Sequence, residues 1–254
     1  MFSKIALVTV IENNTDNKNG HKYFDEAIKC YKSWRKHHPD IKIYAICVSD
    51  ATLSKKEQTL LKKLNVQYIE KYFPETEDFE YGFYNVPLAL KYFETLETNE
   101  KIIIHTDLDM YLEKPINTNI FSPIFENKII IGKYDENARK DQRVDYDTGF
   151  TIHLKNTKFY HIFWSIVKQL IDKEIPLPKS VKTYDLEEYA ITLIENNNLF
   201  NISPIMKYQV GEGYPSIDTF SDEEVENIYF WHEHLESDTL EENLKEKIKY
   251  YKRR

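Results

Sequence analysis

Two carboxylates directly follow a short apolar run near the middle of the chain, within the segment KIIIHTDLDMYLE at residues 101–113. The run at residues 102–104 is β-branched and apolar, which is typical of a strand covered on both faces. Asp107 and Asp109 come after it with one residue between them. Because side chains alternate along an extended chain, we expect both carboxylates to point the same way. The sequence therefore predicts converging oxygen ligands for a hard divalent cation.

The position of this pair is more informative than its spacing. A second Asp-x-Asp occurs at Asp145 and Asp147, but only the first pair follows an apolar strand. In an open α/β sheet, ligands bind beyond the carboxyl ends of the strands, which is where Asp107 and Asp109 would lie. This context favours a metal site over the structural alternative, a strand-end turn with solvated carboxylates.

The elements that must position the pair alternate along the chain. Apolar runs predict strands at residues 5–11, 41–48, 66–70, 102–104, 128–133, 199–203, 205–208 and 228–235, and residues 147–152 lead into a further strand. Amphipathic spacing predicts helices at residues 23–37, 54–64, 85–96 (with Asn85 as the N-cap), 157–173, 185–196 and 241–251. This order indicates the α/β class, with a mostly parallel central sheet and helices on both faces. The sequence lacks the G-x-G-x-x-G and G-x-x-x-x-G-K-[ST] loops, which argues against a dinucleotide-binding fold and a P-loop NTPase.

Length, charge and cysteine content narrow the function classes. A chain of 254 residues is long enough for one large α/β domain, so we expect a single domain. The 34 basic and 42 acidic residues give a net charge of -8, which argues against a general nucleic-acid binder. Cys30 and Cys47 suit neither a disulfide framework nor a zinc site, so a reducing, cytoplasmic location is expected. No apolar run reaches 18 residues, so we expect no transmembrane segment.

The centre of the chain resembles a known enzyme family. A strand, Asp-x-Asp and then Tyr111, Leu112 and a turn with Pro115 look like the metal-binding centre of GT-A fold glycosyltransferases, of the nucleotide-diphospho-sugar transferase superfamily. The resemblance implies one Rossmann-like GT-A domain over residues 1–254, with residues 1–113 as the nucleotide-binding half and residues 114–254 as the acceptor-side half.

The activity that this resemblance implies is hexose transfer from a nucleotide sugar, most often UDP-linked, to a sugar, glycan or glycolipid acceptor. Asp107 and Asp109 would hold Mn²⁺ or Mg²⁺ against the departing diphosphate. The segment DTGFTIHLKN resembles the part of GT-A enzymes that lines donor sugar and acceptor. The implied donor contacts are Val10, Ile11, Asp50, Asp107, Leu108, Asp147, Thr148 and Gly149. An ordinary loop at Asp50 and an ordinary turn before the strand at residues 147–149 are the structural alternatives.

Two further groups of side chains gain a role from the resemblance. A late histidine often completes the metal site of retaining GT-A enzymes, so His232 or His234 could be the third ligand, with His232 favoured because it follows the apolar Trp231. GT-A enzymes also aim an acidic helix start at the anomeric carbon, which makes Asp185, Glu187 and Glu188 the catalytic candidates. Asp185 and Glu188 also have the spacing of a capping box, which would leave Glu187 to face the pocket.

Several readings stay open at the level of sequence. The order of the motifs resembles retaining more than inverting groups, although the Gly-x-x-Lys-Pro-Trp tail of one retaining group is missing. A haloacid-dehalogenase-like phosphatase also begins from a strand ending in Asp-x-Asp, and a non-catalytic nucleotide-sugar binder would share the whole pattern. The basic, aromatic tail LKEKIKYYKRR is interpreted either as a solvated helix or as a weak contact with an anionic bilayer.

Overall fold

A computed structural model gives the fold, and it describes residues 2–12, 23–48, 53–74, 84–133, 144–206, 208–211, 220–226, 228–233 and 240–253. The strands are β1 (Ile5–Glu12), β2 (Lys42–Val48), β3 (Val66–Lys71), β4 (Ile102–Thr106), β5 (Met110–Leu112), β6 (Lys128–Lys133), β7 (Tyr146–Leu154), β8 (Asn201–Met206), β9 (Gln209–Gly211) and β10 (Phe230–His232). The α-helices are α1 (Phe24–His37), α2 (Lys55–Lys63), α3 (Asn85–Thr95), α4 (Phe159–Ile171), α5 (Leu186–Asn196), α6 (Asp222–Val225) and α7 (Leu240–Arg253).

The main sheet has seven strands in the order β3-β2-β1-β4-β7-β6-β8. The first four strands are parallel to one another, β7 runs antiparallel to both of its neighbours, and β8 is parallel to β6. The predicted α/β class with a mostly parallel sheet is therefore confirmed. Strands from both predicted halves of the chain belong to this one sheet.

Helices cover both faces of this sheet, as predicted. One apolar cluster contains residues of α1 and α2, and the other contains residues of α3, α4 and α5. The sequence of α1 explains its orientation, because Cys30, Tyr31 and Trp34 are fully buried and lie at helical spacing. Cys30 and Cys47 are both free and buried. Within the described ranges, no helix combines the length and the apolar character needed to cross a bilayer.

A second, three-stranded sheet has the order β5-β10-β9. Its central strand pairs antiparallel with β5, so that His232 lies opposite Met110, and parallel with β9. Phe230 and Trp231 are almost completely buried, which fixes this late strand against the body of the protein. The small sheet thus brings a strand from the end of the chain beside the residues that follow Asp109.

Two local predictions are wrong. Asn85 is the first residue of α3 rather than its N-cap, a position taken by Tyr84, because the Asn85 side chain bonds Glu12 instead. The two strands expected at residues 199–203 and 205–208 are a single strand, β8. Pro204 is tolerated inside it because β8 forms the edge of the main sheet, where a missing backbone N–H breaks no ladder.

Candidate functional site

The candidate site lies where the strand order of the main sheet reverses. Chain connections run outward in opposite directions from β1 and β4, and such a switch point opens a crevice at the carboxyl ends of the strands. A cavity of about 360 Å³ is found there. It is lined by Val10, Glu12, Tyr23, Val86, Asp107, Leu108 and Asp109. The structure therefore brings Val10, Leu108 and both predicted metal-binding aspartates to one cavity.

The two aspartates reach this cavity from a turn. Strand β4 ends at Thr106, and the amide of Met110 donates back to the carbonyl of Asp107 at 3.3 Å. Side-chain alternation along an extended strand is therefore the wrong reason for their common direction. Both carboxylates nonetheless face the cavity, and the Asp107 side chain is 43% exposed, whereas that of Asp109 is 21% exposed.

Asp107 is held from the main sheet. Its amide donates to the carbonyl of Gly149 at 2.9 Å, next to the antiparallel pairing of β4 with β7. Its Oδ1 lies 3.5 Å from Nε2 of the buried His105, whose Nδ1–H donates to the carbonyl of Val8 at 3.0 Å. A Cβ at Gly149 would lie 2.7 Å from Oδ2 of Asp107, so any side chain there would force the Asp107 carboxylate to move. Gly149 thus allows the backbone of β7 to approach the carboxylate closely.

Asp109 is held from the small sheet. The amide of Glu233 donates to the Asp109 carbonyl at 3.0 Å, and Nε2 of His232 lies 3.3 Å from Oδ1 of Asp109. Burial alone would lower the pKa of His232. The charge of Asp109 and its bond to the imidazole, followed by the charges of Asp147 and Asp107, outweigh burial and raise the pKa to about 9. The contact between Asp109 and His232 thus brings one of the predicted metal-binding aspartates beside the predicted late histidine.

The arrangement of donors fits a divalent cation in part. Two ligands that each lie about 2.1 Å from one octahedral ion are about 3.0 Å apart, close to the 3.3 Å between Asp109 and His232. Carboxylate and imidazole together suit Mn²⁺. Among the residues that the structure describes, no group of three or more His, Cys, Asp or Glu side chains is arranged around one point. Asp109 and His232 are therefore prearranged, and Asp107 would have to turn toward them to share an ion.

Asp147 is buried and is not among the residues that line the cavity. It is 4% exposed, and its carboxylate accepts the amide of Gly149 at 2.9 Å, the hydroxyl of Tyr208 at 2.9 Å and the side-chain amide of Gln209. Both oxygens of Asp147 are therefore occupied by donors from Gly149, Tyr208 and Gln209. The predicted sugar contacts of Asp147, Thr148 and Gly149 stay predictions, as do those of Val10, Ile11 and Leu108. Asp50 and His234 lie outside the described residues.

Two further acids, Glu12 and Glu187, interact electrostatically with Asp107. Burial raises the pKa of Glu12, at the end of β1, to about 8; its hydrogen bond with Asn85 opposes the rise and the charge of Asp107 adds to it. Burial also raises the pKa of Glu187 well above its ordinary value, and Glu188, Asp107 and Glu12 add to that rise. One oxygen of each acid, Oε1, is buried without a hydrogen-bond partner. A ligand hydroxyl or amide could satisfy these oxygens.

The predicted capping box at the start of α5 is not formed. A 3-10 turn at Thr183–Asp185 precedes the helix, and Asp185 occupies the N-cap position without any side-chain cap bond. Its side chain is fully buried, which draws it away from the first turn of the helix. Of the three acids predicted to be catalytic, Glu187 is almost completely buried, and the charge of Asp107 contributes to its raised pKa. That Glu187 faces the pocket stays a prediction.

The sequence reasoning missed four residues of the site, namely Glu12, His105, Gln209 and Tyr23. Glu12 could have been found, because it follows an apolar strand directly, as Asp107 does. His105 follows three isoleucines in β4 and precedes the two aspartates, so the sequence position indicated a buried histidine close to Asp107. Gln209 and Tyr23 have no local signal, since only the folded chain brings them to the site.

Comparison with family models gives no match for this chain, and neither does comparison with curated protein sequences. The fold is nevertheless shared with 325 chains of known structure, so the fold alone does not identify a reaction. One of them is an active-site mutant of LgtC, a glycosyltransferase of the GT-A type. The two chains agree with a TM-score of 0.59 and 13% sequence identity, over 96% of this chain and 95% of LgtC. At this identity the likeness concerns the fold, and the chain has the Rossmann-like α/β fold of a glycosyltransferase.

Proposed function

We propose that this protein is a metal-dependent glycosyltransferase that transfers a hexose from a nucleotide sugar, with UDP as the expected nucleotide, to a sugar or glycan acceptor. One observation carries the proposal. Asp107 and Asp109 line a single cavity at the switch point of a GT-A-type fold, and His232 already contacts Asp109. An acidic cavity of this kind would repel a diphosphate unless a cation lay between them.

The cation-binding residues in this proposal are Asp107, Asp109 and His232. A bound Mn²⁺ or Mg²⁺ supplies Lewis-acid neutralisation of the charge that develops on the departing diphosphate. The protein holds Asp109 and His232 through the small sheet, and it holds the backbone of Asp107 through Gly149. The nucleotide would rest on the end of β1, where Val10 borders the cavity.

The electrostatics of Glu187 support retention of the anomeric configuration. An inverting transfer needs a general base that can take a proton from the acceptor hydroxyl near the working pH. Burial raises the pKa of Glu187 well above its ordinary value, which favours the protonated acid over the carboxylate. Such a group donates a hydrogen bond more readily than it removes a proton, which suits a retaining enzyme better. Proton NMR of the first-formed product would decide the stereochemistry.

Thermal unfolding with a panel of nucleotide sugars tests the proposal. Each donor is measured with Mn²⁺, with Mg²⁺ and with EDTA, and its hydrolysis is followed in parallel. A donor present at 100 times its Kd stabilises the fold by about 2.7 kcal/mol. For a chain of this length, that raises Tm by roughly 5–10 °C. We expect a UDP-hexose to do so only with metal, and the proposal fails if no nucleotide sugar shifts Tm with either cation.

The same assay separates an enzyme from a non-catalytic binder. Asp107→Ala should abolish donor hydrolysis and transfer together if the protein is an enzyme. A binder would show metal-dependent stabilisation in the wild type with no turnover to lose. The phosphatase alternative gains no support from the comparisons, and release of inorganic phosphate from a monoester substrate would be needed to revive it.

A weak contact of α7 with an anionic bilayer is a further part of this proposal. Leu244, Ile248 and Tyr251 are exposed and share one side of the helix, and the last turn carries Lys252 and Arg253. Sedimentation with phosphatidylcholine vesicles, with and without phosphatidylglycerol, tests this contact. We expect binding only with the anionic lipid and less of it for Leu244→Ser/Ile248→Ser, whereas no pelleting of the wild type would contradict it.

A further inference from the structure

A buried chain of hydrogen bonds runs beneath the candidate metal site from Asp147 through Gln209 to His232. Nε2 of Gln209 donates to Oδ2 of Asp147 and to Oη of Tyr208, the latter at 3.1 Å. On its other side, Oε1 of Gln209 lies 3.2 Å from Nδ1 of His232. All four residues are at most 4% exposed, so water does not compete for these bonds.

The chemistry of these groups allows only one direction of donation. The hydroxyl of Tyr208 already donates its one hydrogen to Asp147, so the Gln209 atom that faces both groups must be the amide NH₂. Oε1 of Gln209 must then face the imidazole, and an amide oxygen can only accept. Nδ1 of His232 therefore carries the hydrogen, and its Nε2 faces Asp109 at 3.3 Å.

We propose that Gln209 is a positioning residue that fixes His232 with Nδ1–H as a donor and presents Nε2 to the cation site. Asp147 acts one step further back, by fixing which end of the Gln209 amide faces the ring. This inference rests on the proposed function, because the cation is the one that Asp107 and Asp109 would hold. Partners that orient a metal-binding histidine in this way typically change metal affinity by about 10–100-fold when they are removed.

The fold supports this arrangement with a packing feature on the main sheet. A Cβ at Gly132 on β6 would lie 2.2 Å from Oη of Tyr208, so glycine leaves the room that this hydroxyl needs to reach Asp147. Gln209 itself lies on β9, whose parallel pairing places Gly211 opposite His232 on β10. Both ends of the chain of bonds are thus fixed by strands rather than by loops.

The first test observes the ring of His232 without any metal. In proton-nitrogen NMR spectra, the hydrogen-bonded Nδ1–H of His232 should exchange slowly in the wild type, and His232→Ala assigns it. Gln209→Leu removes the acceptor, and we expect this signal to disappear. Tyr208→Phe removes a buried hydroxyl from the same network but leaves the bond from Gln209 to His232, so the signal should remain. An unchanged signal in Gln209→Leu would overturn the proposal.

The second test measures Mn²⁺ affinity by calorimetry in the presence of UDP. We expect Gln209→Leu to weaken binding about 10–100-fold and Tyr208→Phe to change it by less than about threefold. The double variant Asp147→Asn/Gln209→Glu exchanges donor and acceptor between the two residues and keeps an acceptor for Nδ1–H, so it should restore both readouts. Failure of this exchange, or equal affinity in Gln209→Leu, would contradict the positioning role. A wild type that binds neither Mn²⁺ nor Mg²⁺ would overturn the proposed function instead, while the NMR comparison still decides the role of Gln209.

Discussion

The two sides of the candidate site differ in how their buried polar groups are satisfied. Around Asp109, hydrogen bonds and close contacts connect His232, Gln209 and Asp147 in one chain. Around Glu12 and Glu187, each acid has a buried oxygen without a partner, and burial raises both pKa values. The first side is a prearranged scaffold, and the second is arranged for something that is still to bind.

This difference separates the rigid part of the site from the part that gains hydrogen bonds when a ligand binds. A buried polar group without a partner costs about 1–3 kcal/mol, so a fold keeps such groups only where another gain offsets the cost. Satisfied networks give rigidity, which a metal site needs in order to select its geometry. Unsatisfied acids give affinity, because a ligand that reaches them recovers the lost hydrogen bonds. Variants that damage one side or the other should therefore have different effects.

Removing Asp109 should have the largest effect on donor binding and hydrolysis. Asp109→Ala deprives His232 of the carboxylate at 3.3 Å and takes one oxygen ligand from the cation. We expect Mn²⁺-dependent stabilisation by the nucleotide sugar to vanish and donor hydrolysis to fall by about 10²-fold or more, equivalent to about 3 kcal/mol. Thermal unfolding with and without EDTA, together with hydrolysis rates, measures both effects.

The chain supplies a matched control in its second Asp-x-Asp. Asp145 is exposed and has the same spacing to its partner aspartate, but it does not border the cavity. Asp145→Ala should behave like the wild type in both assays. Equal losses in the two variants would mean that the negative charge of the chain, rather than the site, attracts the cation.

Neutralising Glu12 should change how stability depends on pH. The folded-state pKa is about 8, against 4.5 for the free group, so between these values the folded protein holds a proton that the unfolded chain releases. Stability from this group is therefore full below pH 4.5 and is lost as pH rises to 8, on the order of 3–5 kcal/mol. Glu12→Gln should abolish this loss and be the more stable protein at pH 8.

Unfolding in metal-free buffer between pH 5 and pH 8 measures the effect as a difference from the wild type. The change in Tm between pH 5 and pH 8 should differ between Glu12→Gln and the wild type by on the order of 10 °C for a protein of this size. Glu97→Gln alters an exposed glutamate and serves as the control, with the slope of the wild type. Parallel curves for Glu12→Gln and wild type would show that Glu12 is already ionised in the fold. Glu187→Gln should change the slope in the same direction, since burial raises that pKa as well.

Much of the fold follows from local patterns. The helical spacing of Cys30, Tyr31 and Trp34 predicts α1, and the apolar runs predict inner strands such as β1, β2 and β4 because burial on both faces leaves no polar alternation. The capping-box pattern at Asp185 and Glu188 failed for the opposite reason. Tertiary burial of Asp185 overrides a local preference that is worth only about 1 kcal/mol.

The site could be predicted only as far as single strands reach. Asp107 and Asp109 could be predicted as site residues because they directly follow the apolar strand β4. The bond between Asp147 and Gln209 joins residues 62 positions apart, and the pairing of β5 with β10 brings His232 to Met110 across more than a hundred. No local spacing encodes such contacts, so the network that orients the histidine becomes visible only in the folded protein.

Filling the space at Gly132 should damage the prearranged side. A Cβ there would lie 2.2 Å from Oη and 2.8 Å from Cζ of Tyr208, whose ring is 1% exposed and stacks on Phe150. Because neither ring can move into solvent, we expect Gly132→Ala to lower the free energy of unfolding by about 3 kcal/mol. Chemical denaturation measures this loss, and a cost below about 1 kcal/mol would mean that the network is softer than its burial implies.

Filling the space at Gly149 should give the smallest change in stability. The Cβ would lie 2.7 Å from Oδ2 of Asp107 and 3.1 Å from Oδ1 of Asp147. The Asp107 side chain is 43% exposed and can turn toward solvent, so Gly149→Ala should cost only about 1 kcal/mol. The same rotation takes the carboxylate away from the cation, and Mn²⁺ affinity should fall more than stability does. If Gly149→Ala costs as much stability as Gly132→Ala, Asp107 is fixed as rigidly as Tyr208, and the contrast between the two sides of the site does not hold.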